Sequence, residues 1–407
     1  MSQTMSASSL DPATAAAVGE HWGGFCDSGE LTEWAKHKAL ESVPLGEADF
    51  CQTRPLGKGA FGAVWLTFSR QSGIGFAVKL MRKKIIKMRK MEKSVRIERD
   101  VLYKVESKFL VNLHYAYQTK DEVCLVLTLM PGGDLAFAIS EYLRGSEGKG
   151  DVDWSKFGNE EGLKFYAASM ALGLQDLHDA GFVYRDLKPA NVLLDDKGNV
   201  RISDMGLTAD ISGGPIKHKA GSPGYWAPEQ VKGEPYTTAP DWWSLGVTIY
   251  ALATDKKLFH SEEETCSKMV KDHDWTKSPC ITSDALKDCL QQLCLPSQTD
   301  RINSLDKLKA HAWFAGFSWN AVIDGTMPAP ITPNVNKLNC PSEKDIGDFG
   351  KIGADTPWGD SDEKQDWVAT WNFTNPELWN QEMGIAFAAK KKGGGGGGGG
   401  GGCCTIV

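Results

Sequence analysis

The chain of 407 residues is long enough for two or more packed lobes and a large core. Hydrophobic residues make up 41% and charged residues 24%, an ordinary globular balance, and the formal net charge of −7 argues against nucleic acid as the main partner. No run of apolar residues is long enough to be read as a membrane span. The first residues, MSQTMSASSLDPATAAAVGEHW, lack the basic and apolar regions of a secretory signal, and Ser2 stands where N-myristoylation needs glycine. Ten cysteines are scattered without a CxxC pair. Cys289 and Cys294 lack a second ligand pair, so no zinc site is expected, and eight of the ten read as reduced cytosolic thiols.

In chain order, residues 1–48 form an N-terminal segment, rich in small and polar types over its first thirty positions and expected to be disordered there. A short helix is expected over LTEWAKHKALES (31–42). From Asp49 the pattern turns strand-like. DFCQTRPLG, GAVWLTFS and GFAVKLM are β-rich runs split by glycine-bearing turns, the mark of antiparallel hairpins. The run from Arg82 to Lys93 holds seven basic residues in twelve and reads as a solvated loop, with contact to anionic lipid or a phosphorylated segment as the alternative. Lys93 to Val105 has helical spacing, with Val95, Val101 and Leu102 as its apolar stripe. LVNLHYAYQ and EVCLVLTLM predict two further strands. Pro131-Gly132-Gly133 then breaks the sheet, and the chain becomes mainly helical up to Phe314, with a polar insertion over 144–160. The fold class is therefore α+β and bilobal: a β-rich lobe over 49–130, a larger helical lobe over 131–314, and a hinge near 128–133. Residues 315–385 carry six prolines with Trp319, Trp358, Trp367, Trp371 and Trp379, too many indoles for a solvated tail, so this extension is expected to pack on the lobes.

Short motifs run through this frame in a fixed order. Gly57-Lys58-Gly59-Ala60-Phe61-Gly62 joins the first two strands, flanked by Leu56, Ala63 and Val64. Without Cβ atoms such a loop can fold over phosphates and offer backbone N–H donors, although a plain glycine hairpin would look the same. Lys79 follows on the third strand among Phe76, Ala77, Val78 and Leu80. A lysine there is costly to desolvate unless paired. The expected partner is Glu98 on the next helix, with Glu92 as the alternative, and the pair would leave Lys79 on the α- and β-phosphates. Tyr184-Arg185-Asp186, Lys188 and Asn191 come next, then Asp204-Met205-Gly206 and Ala227-Pro228-Glu229. Asp186 is the candidate base for a substrate hydroxyl, Lys188 the neutraliser of the transferred phosphoryl, and Asn191 with Asp204 the oxygen ligands for Mg²⁺. Any one acid alone is more often a surface carboxylate; together and in order these groups supply what phosphoryl transfer from ATP requires, and the chain reads as a protein kinase. Glu229 and Arg301 are expected to form a buried ion pair, Asp241 to buttress the catalytic loop, and His178 and His311 to be core or cap residues.

Residues 386–407 read as an address. Lys390-Lys391-Lys392 precede ten glycines and Cys403-Cys404-Thr405-Ile406-Val407. Cys404 fits the C-a-a-X prenylation pattern, with Cys403 as a palmitate site and the lysines as a second membrane signal. A cysteine four from the end can also arise by chance.

At these motifs the sequence resembles serine/threonine kinases of the AGC group and, within it, the G-protein-coupled receptor kinases. VYRDLKPANVLLDDKGNVRISDMGL and GYWAPEQV are very close to that family, and LMPGGDL, IIKMRK, VNKLN with DIGDF, and SDEKQDW with ELWNQEM are similar too. The resemblance covers about 47–385. It implies ATP with Mg²⁺, a nucleotide site that also includes Asp134, Ser/Thr on protein substrates, activated seven-helix receptors among them, and a monomer on the cytosolic face of an anionic membrane. The family's accessory regulator-of-G-protein-signalling homology domain is not expected in the forty-odd residues before the kinase. Met205 keeps an apolar packing role where many kinases have Phe. His218 stands where many AGC kinases carry an activating phosphothreonine, so no phosphate is expected on Arg185. Arg-directed relatives have acids where this chain has Ala190 and Ala251, so basic residues before the target are not expected to be required. An AGC kinase with non-receptor substrates and a kinase-fold scaffold are the alternatives.

Overall fold

The computed structural model describes residues 45–382 apart from 60–61, 71, 144–159, 268–272, 275–277, 279–280, 335, 337–338, 341–365, 376–377 and 380. The expected helix over 31–42, the insertion up to residue 159 and the address at 386–407 lie outside the described residues. The described residues fall into two compact units, one within 1–95, 112–131 and 334–407, the other within 96–111 and 132–333.

The first unit is an antiparallel sheet. Strands β1 (Phe50–Lys58), β2 (Gly62–Ser69), β3 (Gly75–Arg82), β4 (Leu113–Gln118) and β5 (Glu122–Thr128) pair in the order β1-β2-β3-β5-β4, and a short tail strand, Phe373–Thr374, extends the β4 edge. Period-two alternation puts Phe50, Phe76, Val78, Tyr115, Tyr117, Cys124 and Val126 into one apolar cluster. Its aromatic rings interlock, Phe50 stacking on Tyr117 at 5.8 Å and meeting Phe76 edge-on at 6.2 Å.

The basic run corrects one expectation. Lys83–Met88 is a helix, α1, rather than a solvated loop. Ile86 is fully buried and draws the turn inward. Lys83 is buried with it; its Nζ donates to Gln118 Oε1 (2.9 Å) and Thr119 O (2.7 Å), while burial pulls its pKa below the ordinary lysine range. Charge counting missed this because a cation with two fixed oxygen acceptors can be buried. Helix α2 spans Glu92–Lys104, within a residue of the expected bounds, with Val95 and Val101 buried.

The second unit is helical around α4 (Glu160–Asp179) and α6 (Ala239–Thr254), with β6 (Gly133–Asp134), β7 (Phe182–Val183), β8 (Val192–Leu194), β9 (Val200–Ile202) and β10 (Ala209–Asp210) as short pairs beside them. The short helices α3 (Leu135–Ala138) and α5 (Pro228–Lys232) and the longer α7 (Asp284–Leu293) pack around this centre. Every residue of α6 is buried, as expected of a helix surrounded by others. Trp242, Trp243, Leu245, Ile249 and Leu252 join Leu174, Leu177, Leu286 and Leu290 in one core. The His178 side chain is only 6% exposed, and His311 caps a short helix by accepting from the Trp313 N–H.

Glu229 and Arg301 form the expected pair at zero side-chain exposure, with two parallel bonds of 2.6 and 2.9 Å. Arg301 also donates to Leu295 O and Ala239 O, both at 2.9 Å, and to Pro296 O at 3.4 Å, so its remaining N–H groups are satisfied. Breaking a buried pair strands one charge. Glu229→Ala should therefore lower stability by about 3–5 kcal/mol, read as a shift of the urea midpoint, and Glu229→Ala with Arg301→Met should recover part of it.

Candidate active site

The loop after β7 carries Tyr184, Arg185 and Asp186. Arg185 has φ of 74°, in the left-handed half that non-glycine residues rarely adopt. The cause is Asp241 of α6, fully buried. Its Oδ1 accepts from the Arg185 N–H (2.7 Å), and its Oδ2 accepts from the Tyr184 N–H (2.8 Å) and pairs with His178 Nε2 (2.8 Å). Asp241 thus buttresses the loop through two backbone donors. Arg185 turns its side chain to the segment after Asp204, where Nε donates to Leu207 O (2.7 Å). His218 is exposed, and its carbonyl accepts from the Tyr236 hydroxyl.

Asp186 is itself nearly buried at 5% exposure. Its Oδ2 accepts from Lys188 Nζ (3.0 Å) and Asn191 Nδ2 (2.8 Å), and its Oδ1 accepts from Ser222 Oγ (2.7 Å). Lys188 also donates to Ser222 (2.6 Å), and Asn191 Nδ2 also donates to the Asp186 carbonyl (2.8 Å). Three polar side chains thus fix the orientation of one carboxylate. A cation beside it is placed to neutralise charge developing on a transferred group.

Ser222 was not singled out from the sequence. The available signal was the glycine before it: Gly221 has φ of +112°, and a Cβ there would lie 2.2 Å from the Arg185 carbonyl. Only glycine lets the chain pass that close.

Asp204 also adopts left-handed backbone, φ 53° and ψ 74°, and Met205 behind it is fully buried, so its apolar packing role holds. Glu98, at 1% exposure, lies on the same side: a Cβ on Gly206 would meet Asp204 Oδ1 at 3.3 Å and Glu98 Oε2 at 3.5 Å. Asn191 commits its amide nitrogen to Asp186, which leaves its side-chain carbonyl oxygen as an acceptor. An amide oxygen and a carboxylate are the hard donors that suit Mg²⁺ beside phosphates. Asp134 caps α3 by accepting from the Phe137 N–H (2.9 Å), and burial raises its carboxyl above the usual range.

In the other unit, Gly57 pairs with Val64 across the β1–β2 hairpin, and the Gly59 N–H donates to Gly62 O (2.8 Å). Gly62 is obligatory: a Cβ there would lie 1.9 Å from Leu80 O. Leu56 and Lys58 lie at the end of β1, and Ala63 follows Gly62 at the start of β2, while Ala60 and Phe61 lie outside the described residues. Lys79 sits half-buried on β3, opposite Val64 on one side and Leu125 on the other. Cys403 and Cys404 lie outside the described residues.

The Protein kinase domain family matches residues 50–314. The chain is 37% identical over 348 residues to G protein-coupled receptor kinase 2 of Drosophila melanogaster, covering 82% of this chain and 47% of that protein. It is 37% identical over 325 residues to human (Homo sapiens) rhodopsin kinase GRK1, covering 77% of this chain and 56% of that protein. The mouse (Mus musculus) G protein-coupled receptor kinase 4 is 35% identical, with 81% and 57% covered. The chain thus spans about half the length of these relatives.

Asp186→Asn should lower kcat for phosphoryl transfer roughly a thousandfold with the ATP KM within about threefold, and Ser222→Ala should lower kcat about tenfold. Steady-state assay at saturating ATP checks both.

Proposed function

We propose that this member of the protein kinase family, similar to the G protein-coupled receptor kinases, is a serine/threonine protein kinase that phosphorylates activated seven-helix receptors at a membrane surface. The observation that carries the catalytic part is the Asp186 carboxylate, aimed by Ser222, Lys188 and Asn191. A substrate hydroxyl placed against it passes its proton to Asp186 as the oxygen bonds to the γ-phosphorus and the bond to the ADP oxygen breaks. Lys188 offsets the charge on the moving phosphoryl. Asn191 and Asp204 would hold Mg²⁺, which supplies charge neutralisation on the phosphates when bound. Lys79 would hold the α- and β-phosphates beneath the glycine turn, and Asp134 would border the nucleotide. No acid stands at Ala190 or Ala251. The substrate site is accordingly read as independent of arginine, with anchoring through a lipid on Cys404, aided by Cys403 and Lys390–Lys392.

The receptor reading is supported by the names of the relatives and by the family-like segments around the catalytic motifs. It is tested by phosphate transfer from Mg·ATP to light-activated and dark rhodopsin beside casein, with Asp186→Asn as control. Preference for the activated receptor supports it; casein labelling without receptor preference would leave a kinase with other substrates. A peptide panel should show less than about threefold dependence on arginine before the target residue. For the anchor, Cys404→Ser should move the protein from the membrane to the soluble fraction; retention on membranes would count against the lipid.

A further inference from the structure

Among the buried acids outside the catalytic machinery, Glu382 lies farthest from any obvious use. It belongs to the C-terminal tail, yet it is 3% exposed. Hydroxyls surround its carboxylate: Ser72 donates to Oε1, Tyr115 donates to Oε2, and Ser69 adds a third bond. Ser69 ends β2, Ser72 lies in the β2–β3 turn, and Tyr115 lies on β4, so one tail side chain joins two parts of the sheet. A buried carboxylate is costly unless hydrogen-bonded, and here three neutral donors stand in for water.

The tail leading to it is itself laid along the β4 edge. Val368 O accepts from Gln118 Nε2 (2.9 Å), and buried Trp371 donates from Nε1 to Cys124 O (3.2 Å). Phe373 pairs with Ala116 and Thr374 with Tyr115, the Asn375 N–H donates to His114 O (2.8 Å), and Trp379 meets the Tyr115 ring edge-on at 6.2 Å. The register then runs inward without a break: Phe373 opposite Ala116, Ala116 opposite Leu125, Leu125 opposite Lys79. The tail strand and the lysine proposed to hold phosphates thus share one row of the sheet.

We propose that Glu382 is a positioning residue for phosphoryl transfer: its carboxylate, clamped by Ser69, Ser72 and Tyr115, fixes the tail strand on β4 and thereby holds the row that carries Lys79. The inference rests on the reading of Lys79 as the phosphate anchor. The clamp also has a protonation sense. Burial raises the Glu382 carboxyl above its ordinary range, and the groups facing it are Ser69, Ser72 and Tyr115, whose own hydroxyl is pushed up by burial, by Glu382 and by Asp49. Because the docked state holds the proton more tightly than an exposed tail would, docking is strongest below the ordinary carboxylate range. It weakens as pH rises through the raised value.

The test uses the full chain and four variants: Glu382→Ala, Glu382→Gln, Ser72→Ala and Lys79→Met. Two quantities are read, the exchange rate of the β4 and tail-strand amides and the steady-state constants for ATP with casein. Glu382→Ala should speed exchange at Phe373, Thr374 and Tyr115 and raise the ATP KM about tenfold with kcat within about twofold, since ground-state and transition-state binding fall together. Glu382→Gln, which keeps the shape and loses the titration, should restore both quantities and remove the pH dependence of exchange. Ser72→Ala should fall between wild type and Glu382→Ala, and it serves if the latter fails to fold. Faster exchange with an unchanged ATP KM would overturn the proposal and leave an anchor without a link to the site, as would a Gln variant as impaired as Ala. Unaltered ATP KM in Lys79→Met would instead overturn the reading of Lys79, a result separable from either.

Discussion

Three N–H groups converge on the carboxylate of Asp241: the backbones of Tyr184 and Arg185 and the ring of His178. Holding Arg185 in left-handed backbone costs on the order of 1–3 kcal/mol. Hydrogen bonds to a charged acceptor contribute about 1.5–3 kcal/mol each, so the two backbone bonds cover that strain. The remaining condition is that Asp241 cannot move, and α6 meets it by being buried on every side. Asp186 then leaves the loop at an angle set from behind, and its own partners only refine it. Strain, buried charge and helix burial are here one arrangement read at three scales.

Burial of charge recurs with different solutions. Glu229 meets a guanidinium with matched geometry, Lys83 meets two oxygens, and Glu382 meets hydroxyls. A bidentate pair leaves both ions charged and fixes orientation. Burial raises the Glu382 carboxyl, and its hydroxyl donors offset only part of that rise. The distinction sorts these residues into frame and adjustable parts without reference to sequence position.

Much of this was legible in the sequence. The five strands of the sheet follow from period-two runs between glycines, and the catalytic groups sit in motifs whose spacing is constrained by chemistry. Asp241 and the Glu229–Arg301 pair belong to the same legible part, Asp241 standing beside Trp242 and Trp243. Other features were hidden for physical reasons. Helix α1 was masked by its charges, because exposure was inferred from composition while Ile86 and the acceptors of Lys83 decide the fold. Ser222 gave little signal, since a single hydroxyl gains meaning only when the chain returns past Arg185. The tail strand is two residues long and Glu382 reaches a partner 267 positions earlier, distances over which no local pattern operates.

The tail strand also bears on the solution behaviour of the protein. Without Phe373–Thr374, β4 would present a row of open N–H and C=O groups beside aromatic side chains, an edge ready to pair with the edge of a neighbouring molecule. Two residues of backbone pairing and one indole close that edge. Proteolytic loss of the tail would therefore be felt first as self-association of the sheet, with the shortened protein leaving solution before its folded core is lost.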